Sequence, residues 1–369
     1  MRARTSSITK GQLFFIIIQA QIGMGVMSLP HDMFINAKND AWISLLIAGA
    51  ILELVVFLQY LLVKRYPEQT IYEFMPQLLG KPFAKVVSLS YALFFGYIVV
   101  IVILLFTRTL QTWVLTDTPL WIIKIITISI TAYLAKEQLP VIARFLTIVT
   151  LNLVFLVFFT FLVFRNIEIE YLFPIGTTGI KEIMGGANQA ILALMSMEIL
   201  YVYAFVQDKS KGLFKIIGGA IAFTTGLYLY LTLLVLVVFS PGKLLLVEEP
   251  LLYMLKSLKF TIIERLDLIF IAFWMFSVIT TTIIYMYASA RGFSKVLNLK
   301  SHSKLTWLLA AVILIVAFIP DSDLAVSKMT SVLTYISYLF VFVIPVFLLI
   351  LSLVKKKDGS VKQKGGKQR

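Results

Sequence analysis

Apolar runs long enough to cross a bilayer recur from one end of this chain to the other, and that repetition limits the fold more than any other feature. A helical crossing of the hydrocarbon layer takes roughly 20 residues. Runs of that kind, bounded by charge or turn residues, fall near residues 13–29, 41–63, 86–106, 120–134, 139–164, 187–205, 213–239, 266–288, 305–319 and 331–353. The reading is an all-α integral membrane protein of about ten transmembrane helices. With 60% hydrophobic and 14% charged residues in a chain of 369, a water-soluble core could not cover the apolar surface. Because the runs are spread along the whole chain, they are neither a signal peptide nor a single anchor.

The formal net charge is +14, but the basic residues lie in short loops and in the tail 355–369, between apolar runs. That is how a membrane protein is oriented. It places both termini in the cytoplasm and leaves no case for nucleic acid as a partner. The Lys- and Gly-rich tail is expected to be disordered and to touch anionic lipid. The chain has no cysteine, and His31 and His302 are too scattered for a histidine metal site. No nucleophile–base pair or zinc-ligand spacing falls in the spans, so neither an enzyme nor a cofactor is expected.

Residues 1–354 read as one permease-like domain. Ten crossings divide into repeats of about 11–164 and 183–354, and five crossings end on the opposite side of the membrane, so the second repeat must be inverted. The first helix of each half is interrupted near its middle, the pointer to a midplane binding site in such folds. In helix one the interruption is Ile22-Gly23-Met24-Gly25-Val26, followed by Pro30. Unwinding there frees N–H groups at the positive end of the outer half-helix, which favours a carboxylate. Close packing through a small-x-small pair is the other reading of the two glycines. In helix six the stretch is Leu194-Met195-Ser196-Met197-Glu198-Ile199, with a hydroxyl and a carboxylate inside an apolar span. Glu198 reads as a ligand, ion or proton site, or as a protonated structural acid.

Other positions carry weaker signals. Glu53 in helix two has no partner nearby in sequence. Tyr97 and Phe94 in helix three and Phe342 in helix ten lie at depths where an aromatic ring could line or gate a cavity, although core packing is the commoner role. Thr280, Thr281 and Thr282 with Tyr285 could offer hydroxyls to a sodium ion beside helix-one carbonyls, or could back-bond within their own helix. Lys124 can snorkel to the outer interface, and Arg108, Arg144, Arg265 and Asp267 lie near helix ends, as headgroup anchors do. Two connectors are amphipathic. Residues 68–80, with Ile71, Phe74, Met75, Leu78 and Leu79 on one face, are expected on the inner membrane surface. The segment from Pro250 through Leu251, Leu252, Leu255 and Leu258 reads as a surface helix over the outer mouth.

Ile22-Gly23-Met24-Gly25-Val26 with Leu29-Pro30, and Ser196-Met197-Glu198, resemble the two broken-helix motifs of permeases of the amino acid-polyamine-organocation superfamily. Tyr171-Leu172-Phe173-Pro174 narrows the resemblance, as does the run from Pro250-Leu251-Leu252-Tyr253 through Ile263-Glu264-Arg265-Leu266-Asp267 to Trp274. Together they resemble the spore germination permease family, the B subunits of nutrient germinant receptors, from Thr9 to about Val354. The resemblance implies a ten-helix inverted repeat in the inner membrane of an endospore, working with an A and a C subunit. It implies that a small nutrient such as an L-amino acid is recognised at Gly23, Gly25, Ser196, Glu198 and Ile199. The superfamily often has glycine where Ser196 stands. A proton- or sodium-coupled amino-acid transporter is the alternative the same residues allow.

Overall fold

The computed structural model describes residues 7–195, 199–207, 209, 212–258 and 265–355. They are helical almost throughout, and the one β pairing among them is an isolated bridge between Ile8 and Val206. The helices are α1 (Lys10–Gln21), α2 (Gly25–Ala37), α3 (Ala41–Arg65), α4 (Ile71–Leu79), α5 (Lys81–Trp113), α6 (Leu120–Ala135), α7 (Leu139–Thr150), α8 (Asn152–Phe161) and α9 (Ile180–Ala193). They continue as α10 (Ile199–Val202), α11 (Leu213–Val238), α12 (Pro241–Leu244), α13 (Pro250–Ser257), α14 (Leu266–Val296), α15 (Ser303–Ala317), α16 (Asp323–Tyr338) and α17 (Ile344–Val354). Six stretches among the described residues are long and apolar enough to span a bilayer: Gly25–Arg65, Lys81–Trp113, Leu139–Phe164, Leu213–Val238, Leu266–Val296 and Asp323–Val354. The chain is a multi-pass membrane protein.

The helices α6 and α15 are shorter, at 16 and 15 residues. At 1.5 Å per residue they reach only about 24 and 22 Å, less than the hydrocarbon thickness. They pack on one another and against α5 and α14. Lys124 does not snorkel from α6 to an interface as its sequence suggests. It is buried, and its Nζ donates to the Ala317 carbonyl at 2.7 Å beside the Phe318 ring. Its charge caps the C-terminal carbonyls of α15, where the helix dipole favours a cation.

The long helices α5 and α14 run together along most of their length and form the centre of the bundle. Small residues set their approach: a Cβ on Gly292 would sit 2.8 Å from that of Ala92, and Ser289 Oγ donates to the Ala92 carbonyl at 2.7 Å. The connector 68–80 packs its apolar face against the bundle. Ile71, Phe74 and Met75 of α4 are fully buried, against α5, α10 and α17. A capping box between Thr70 and Glu73 starts the helix, and Lys295 Nζ binds Glu73 Oε1 at 2.6 Å, tying α4 to the end of α14. Helix α13 begins at Pro250, as its sequence suggests, and buries Leu251, Leu252 and Leu255 against α14, α2 and α11. It lies on the face of the bundle opposite α4, since α5 runs from Lys81 beside α4 to Trp113, whose Nε1 donates to Glu249 just before α13.

Between α16 and α17 the chain makes a π-helical turn over Leu339–Val343. Pro345 explains it. Without an N–H, Pro345 leaves the Val341 carbonyl without its helical donor, and Gln59 Nε2 supplies one at 3.1 Å. Tyr91 Oη donates to the neighbouring Phe340 carbonyl at 2.9 Å. The wider turn brings Phe340 inward, where it stacks on Phe94 at 4.5 Å, while Phe342 packs on Tyr338 instead.

Candidate functional site

The helix-one interruption is real. α1 ends at Gln21, capped by the Ile22 N–H on the Ile18 carbonyl at 2.9 Å, α2 begins at Gly25, and Ile22, Gly23 and Met24 lie between the two helices. In an unbroken helix the Gln19 and Gln21 carbonyls would take N–H bonds from residues four further on. Here the Gln19 carbonyl accepts Thr281 Oγ1 at 2.8 Å, the Gln21 carbonyl accepts Tyr228 Oη at 3.1 Å, and the Gly23 carbonyl accepts Trp274 Nε1 at 3.0 Å. The surrounding helices α14 and α11 hold the break open by satisfying these groups.

The small residues are required by proximity. A Cβ on Gly23 would meet Thr281 Oγ1 at 2.9 Å, and one on Gly25 would meet the Ala193 Cβ at 2.9 Å and Tyr228 Oη at 3.2 Å. The end of α9 lies directly alongside. α9 stops at Ala193, Leu194 closes it, Met195 follows outside the helix, and α10 begins at Ile199. Gln21 Nε2 donates to the Leu194 carbonyl at 2.7 Å, and Gln21 Oε1 accepts Thr224 Oγ1. One glutamine amide thus joins the end of α1, the end of α9 and the middle of α11.

Above this junction a cavity of about 650 Å³ extends to the α13 face. Its floor is made by Ala20, Gln21, Gly23, Met24, Gly25, Met195, Thr281 and Tyr285, its walls by α5 and α16, and its rim by Arg108, Thr112, Glu248 and Glu249. Gly23, Met24, Gly25, Met195 and Thr281, singled out from the sequence, therefore meet at one surface. Ile22 is fully buried behind it, among Leu153, Leu156 and Phe270. Phe94 stacks on Phe340, Tyr97 Oη donates to the Met329 carbonyl at 2.8 Å, Phe342 packs on Tyr338, and none of the three rings borders the cavity. Thr282 lies off it as well, with its hydroxyl bonded to the Ile279 carbonyl and to Thr131 Oγ1. Ser196 and Glu198 lie outside the described residues, as does the side chain of Ile199.

Toward the α4 face the described residues close the cavity. Phe95 packs on Tyr285 and on Tyr201 below the floor, at 6.0 and 5.5 Å between ring centroids. Lower down, the Ile8 N–H bonds the Phe205 carbonyl at 2.9 Å, and the Gln207 N–H bonds the Ile8 carbonyl at 3.0 Å. Arg291 lies over the Phe205 ring. Among the described residues, the site is therefore a pocket reached from the α13 face.

Sequence reading missed Gln21, Asp32, Glu248 and Glu249. Asp32 lies seven residues after Gly25, a spacing that returns to the same helix face, so the pattern was present once Gly25 was placed at the start of a helix. Glu248 and Glu249 carry no such signal, because their approach to α5 depends on how the connector folds back. The residues first read as headgroup anchors are held by protein: Arg108 pairs with Asp323 at 2.6 Å, and Arg265 with the fully buried Asp267 at 2.8 Å. Arg144 Nε donates to the Pro140 carbonyl one turn earlier. Glu53 lies beside Gly218 of α11.

A family model described as "Spore germination protein" matches residues 7–326. The chain is 25% identical over 361 residues to spore germination protein YndE of Bacillus subtilis, covering 97% of this chain and 99% of the relative. It is 26% identical to spore germination protein KB of the same organism, over 94% of each chain. To spore germination protein GerQB of Bacillus cereus it is 25% identical, over 92% of this chain and 94% of the other.

Proposed function

Because this chain belongs to the spore germination protein family, we propose that it is the membrane-embedded B subunit of a nutrient germinant receptor. Its cavity binds a small nutrient of the amino-acid class, and partner A and C subunits receive the signal. In this reading the helices form ten crossings in two inverted repeats within residues 1–354, both termini face the spore core, and the protein lies in the inner membrane of the endospore. The tail 355–369 acts as a basic segment at the lipid surface.

The observation that carries the proposal is the junction of the two helix breaks at the floor of the cavity, made by Gln21 and the Leu194 carbonyl. A ligand carboxylate at the start of α2 meets N–H groups and the positive end of a helix dipole. In this reading Ser196, Glu198 and Ile199, which follow Met195 in the sequence, belong to the same binding site. Signalling requires that the nutrient contact one arrangement of the breaks better than another, since equal affinity for both would shift nothing.

A coupled secondary transporter is the second reading. It is favoured by the one-sided cavity, which alternating access would open on the α4 face by parting Phe95, Tyr285 and Tyr201. The deciding experiment uses dormant spores carrying the chain with its partner subunits, challenged with a panel of amino acids and sugars. Ion release without stoichiometric uptake of labelled nutrient is the expected result. Saturable uptake by this chain alone in vesicles would make it a transporter instead.

A further inference from the structure

Among the described residues, the cavity carries its charges at one end. The floor around the break, from Ala20 to Gly25 with Met195, Thr281 and Tyr285, has no ionised side chain, whereas the α13 end holds His31, Asp32, Arg108, Glu248 and Glu249. Three of these five are already engaged. Arg108 pairs with Asp323, His31 Nδ1 bonds the Leu244 carbonyl at 2.8 Å, and Glu249 accepts Thr109 Oγ1 at 2.9 Å and Trp113 Nε1. The described lysines nearby point elsewhere, Lys243 over Phe239 and Tyr253 and Lys256 over Trp113. Asp32 and Glu248 are left. Asp32 accepts a hydrogen bond from Ser28 and lies within the fields of both His31, which favours its charge, and Glu248, which opposes it, and among the described residues no ion pair forms to either carboxylate.

At the α13 end of the cavity Asp32 is half-buried and Glu248 exposed at the rim; like charges there repel one another, and a cation placed between them removes the repulsion. Their distance from the break sets the shape of the molecule that could supply it. Gly25, Ser28, Leu29 and Asp32 all border the cavity, at the three- and four-residue spacing of a single helix face. From Gly25 to Asp32 the axis rises about 10 Å, two turns of α2. In an ordinary amino acid the ammonium sits next to the carboxylate and cannot cover that distance, but an extended side chain ending in a cation can.

We propose that the cavity selects a cationic amino acid of the lysine, ornithine or arginine class, with its α-carboxylate at the start of α2 and its distal cation between Asp32 and Glu248. This rests on the cavity being the nutrient site. Asp32 and Glu248 then determine specificity, and the break supplies the contacts shared by all amino acids.

The test measures binding of labelled lysine, arginine, leucine and alanine to the full-length protein in lipid nanodiscs, with unlabelled KCl and NaCl as competitors. Lysine or arginine is expected to bind at least about tenfold more tightly than leucine or alanine. Asp32→Asn and Glu248→Gln should each bring lysine and arginine binding down to the level of leucine, and an unchanged unfolding temperature in detergent shows that the variants are folded. Leucine or alanine binding as tightly as lysine would overturn the cationic class while leaving the cavity as the nutrient site. Binding of none of the four would overturn both readings. Loss of lysine binding to low concentrations of KCl, but not to an equal ionic strength of a bulky quaternary ammonium salt, would assign the two carboxylates to an inorganic cation and overturn the organic ligand.

Discussion

Gln21 Nε2 lies 2.7 Å from the Leu194 carbonyl oxygen and spans two helix ends that are 173 residues apart in the chain. The bond is buried and sits at the floor of the cavity, so whatever moves one break moves the other. Gln21→Ala leaves the Leu194 carbonyl and Thr224 without this partner, at a cost of about 1–3 kcal/mol for a buried unsatisfied group. The expected outcome is a lower unfolding temperature in detergent together with a right-shifted nutrient dose–response. An unchanged dose–response would mean that the junction is structural only.

Gly23 is held to its size by Thr281. Gly23→Ala places a methyl group 2.9 Å from Thr281 Oγ1 and should impair nutrient response more than membrane abundance. Thr281→Ala removes the obstructing hydroxyl, so the double variant should recover part of what the single one loses. The interaction energy from that cycle checks the contact, and simple additivity of the two substitutions would refute it.

Glu198→Gln keeps the shape of the side chain and removes its charge. If the carboxylate takes part in binding or in a proton step, the variant should lose response and flatten its dependence on pH. An unchanged pH profile of ion release would rule out an ionisable role.

Glu73 links α4 to α14 and its titration should be visible in stability. Burial pushes its carboxyl upward, but hydrogen bonds from Lys295 and from the Thr70 N–H and hydroxyl outweigh burial and hold it below the ordinary value of 4.5. A group lowered on folding stabilises the folded state above the unfolded value, and that contribution is lost as pH falls from about 4.5 through the folded value. Glu73→Gln should therefore lose about 1 kcal/mol at neutral pH, the scale of a helix cap, and show a shallower decline below pH 4.5. Thermal unfolding across pH 3–7 in a mild detergent reads both effects (about this range brackets the carboxylate transition).

The loop that carries Asp321 and Asp323 should be reached by a membrane-impermeant label from the outer side. It lies at the cavity rim through the Arg108–Asp323 pair, and Arg108 lies in the last turns of α5, a helix that begins beside α4. A label that reacts only from the core side would reverse the orientation and place the cavity mouth facing inward.

The helices, the interruption at Gly23 and Gly25 and the helical start at Pro250 were all legible in the sequence, because each depends on local chemistry. An apolar run of sufficient length must become a helix in lipid, paired glycines release the backbone, and proline favours a first turn. The π turn was only half legible: Pro345 marks the place, but Gln59 and Tyr91, from two other helices, stabilise it and turn Phe340 rather than Phe342 inward. Lys124 and the connector at Ile71 show the same limit. Their amphipathic character is visible in sequence, but whether lipid or protein covers them depends on which helices pack nearby. The cavity itself was decided entirely by tertiary structure. Gln21, Asp32 and Glu248 look ordinary in one dimension, and acquire meaning when α1, α9, α11 and the α12–α13 connector bring their side chains to a common space. Sequence specifies what each segment can bury, and only packing decides against what.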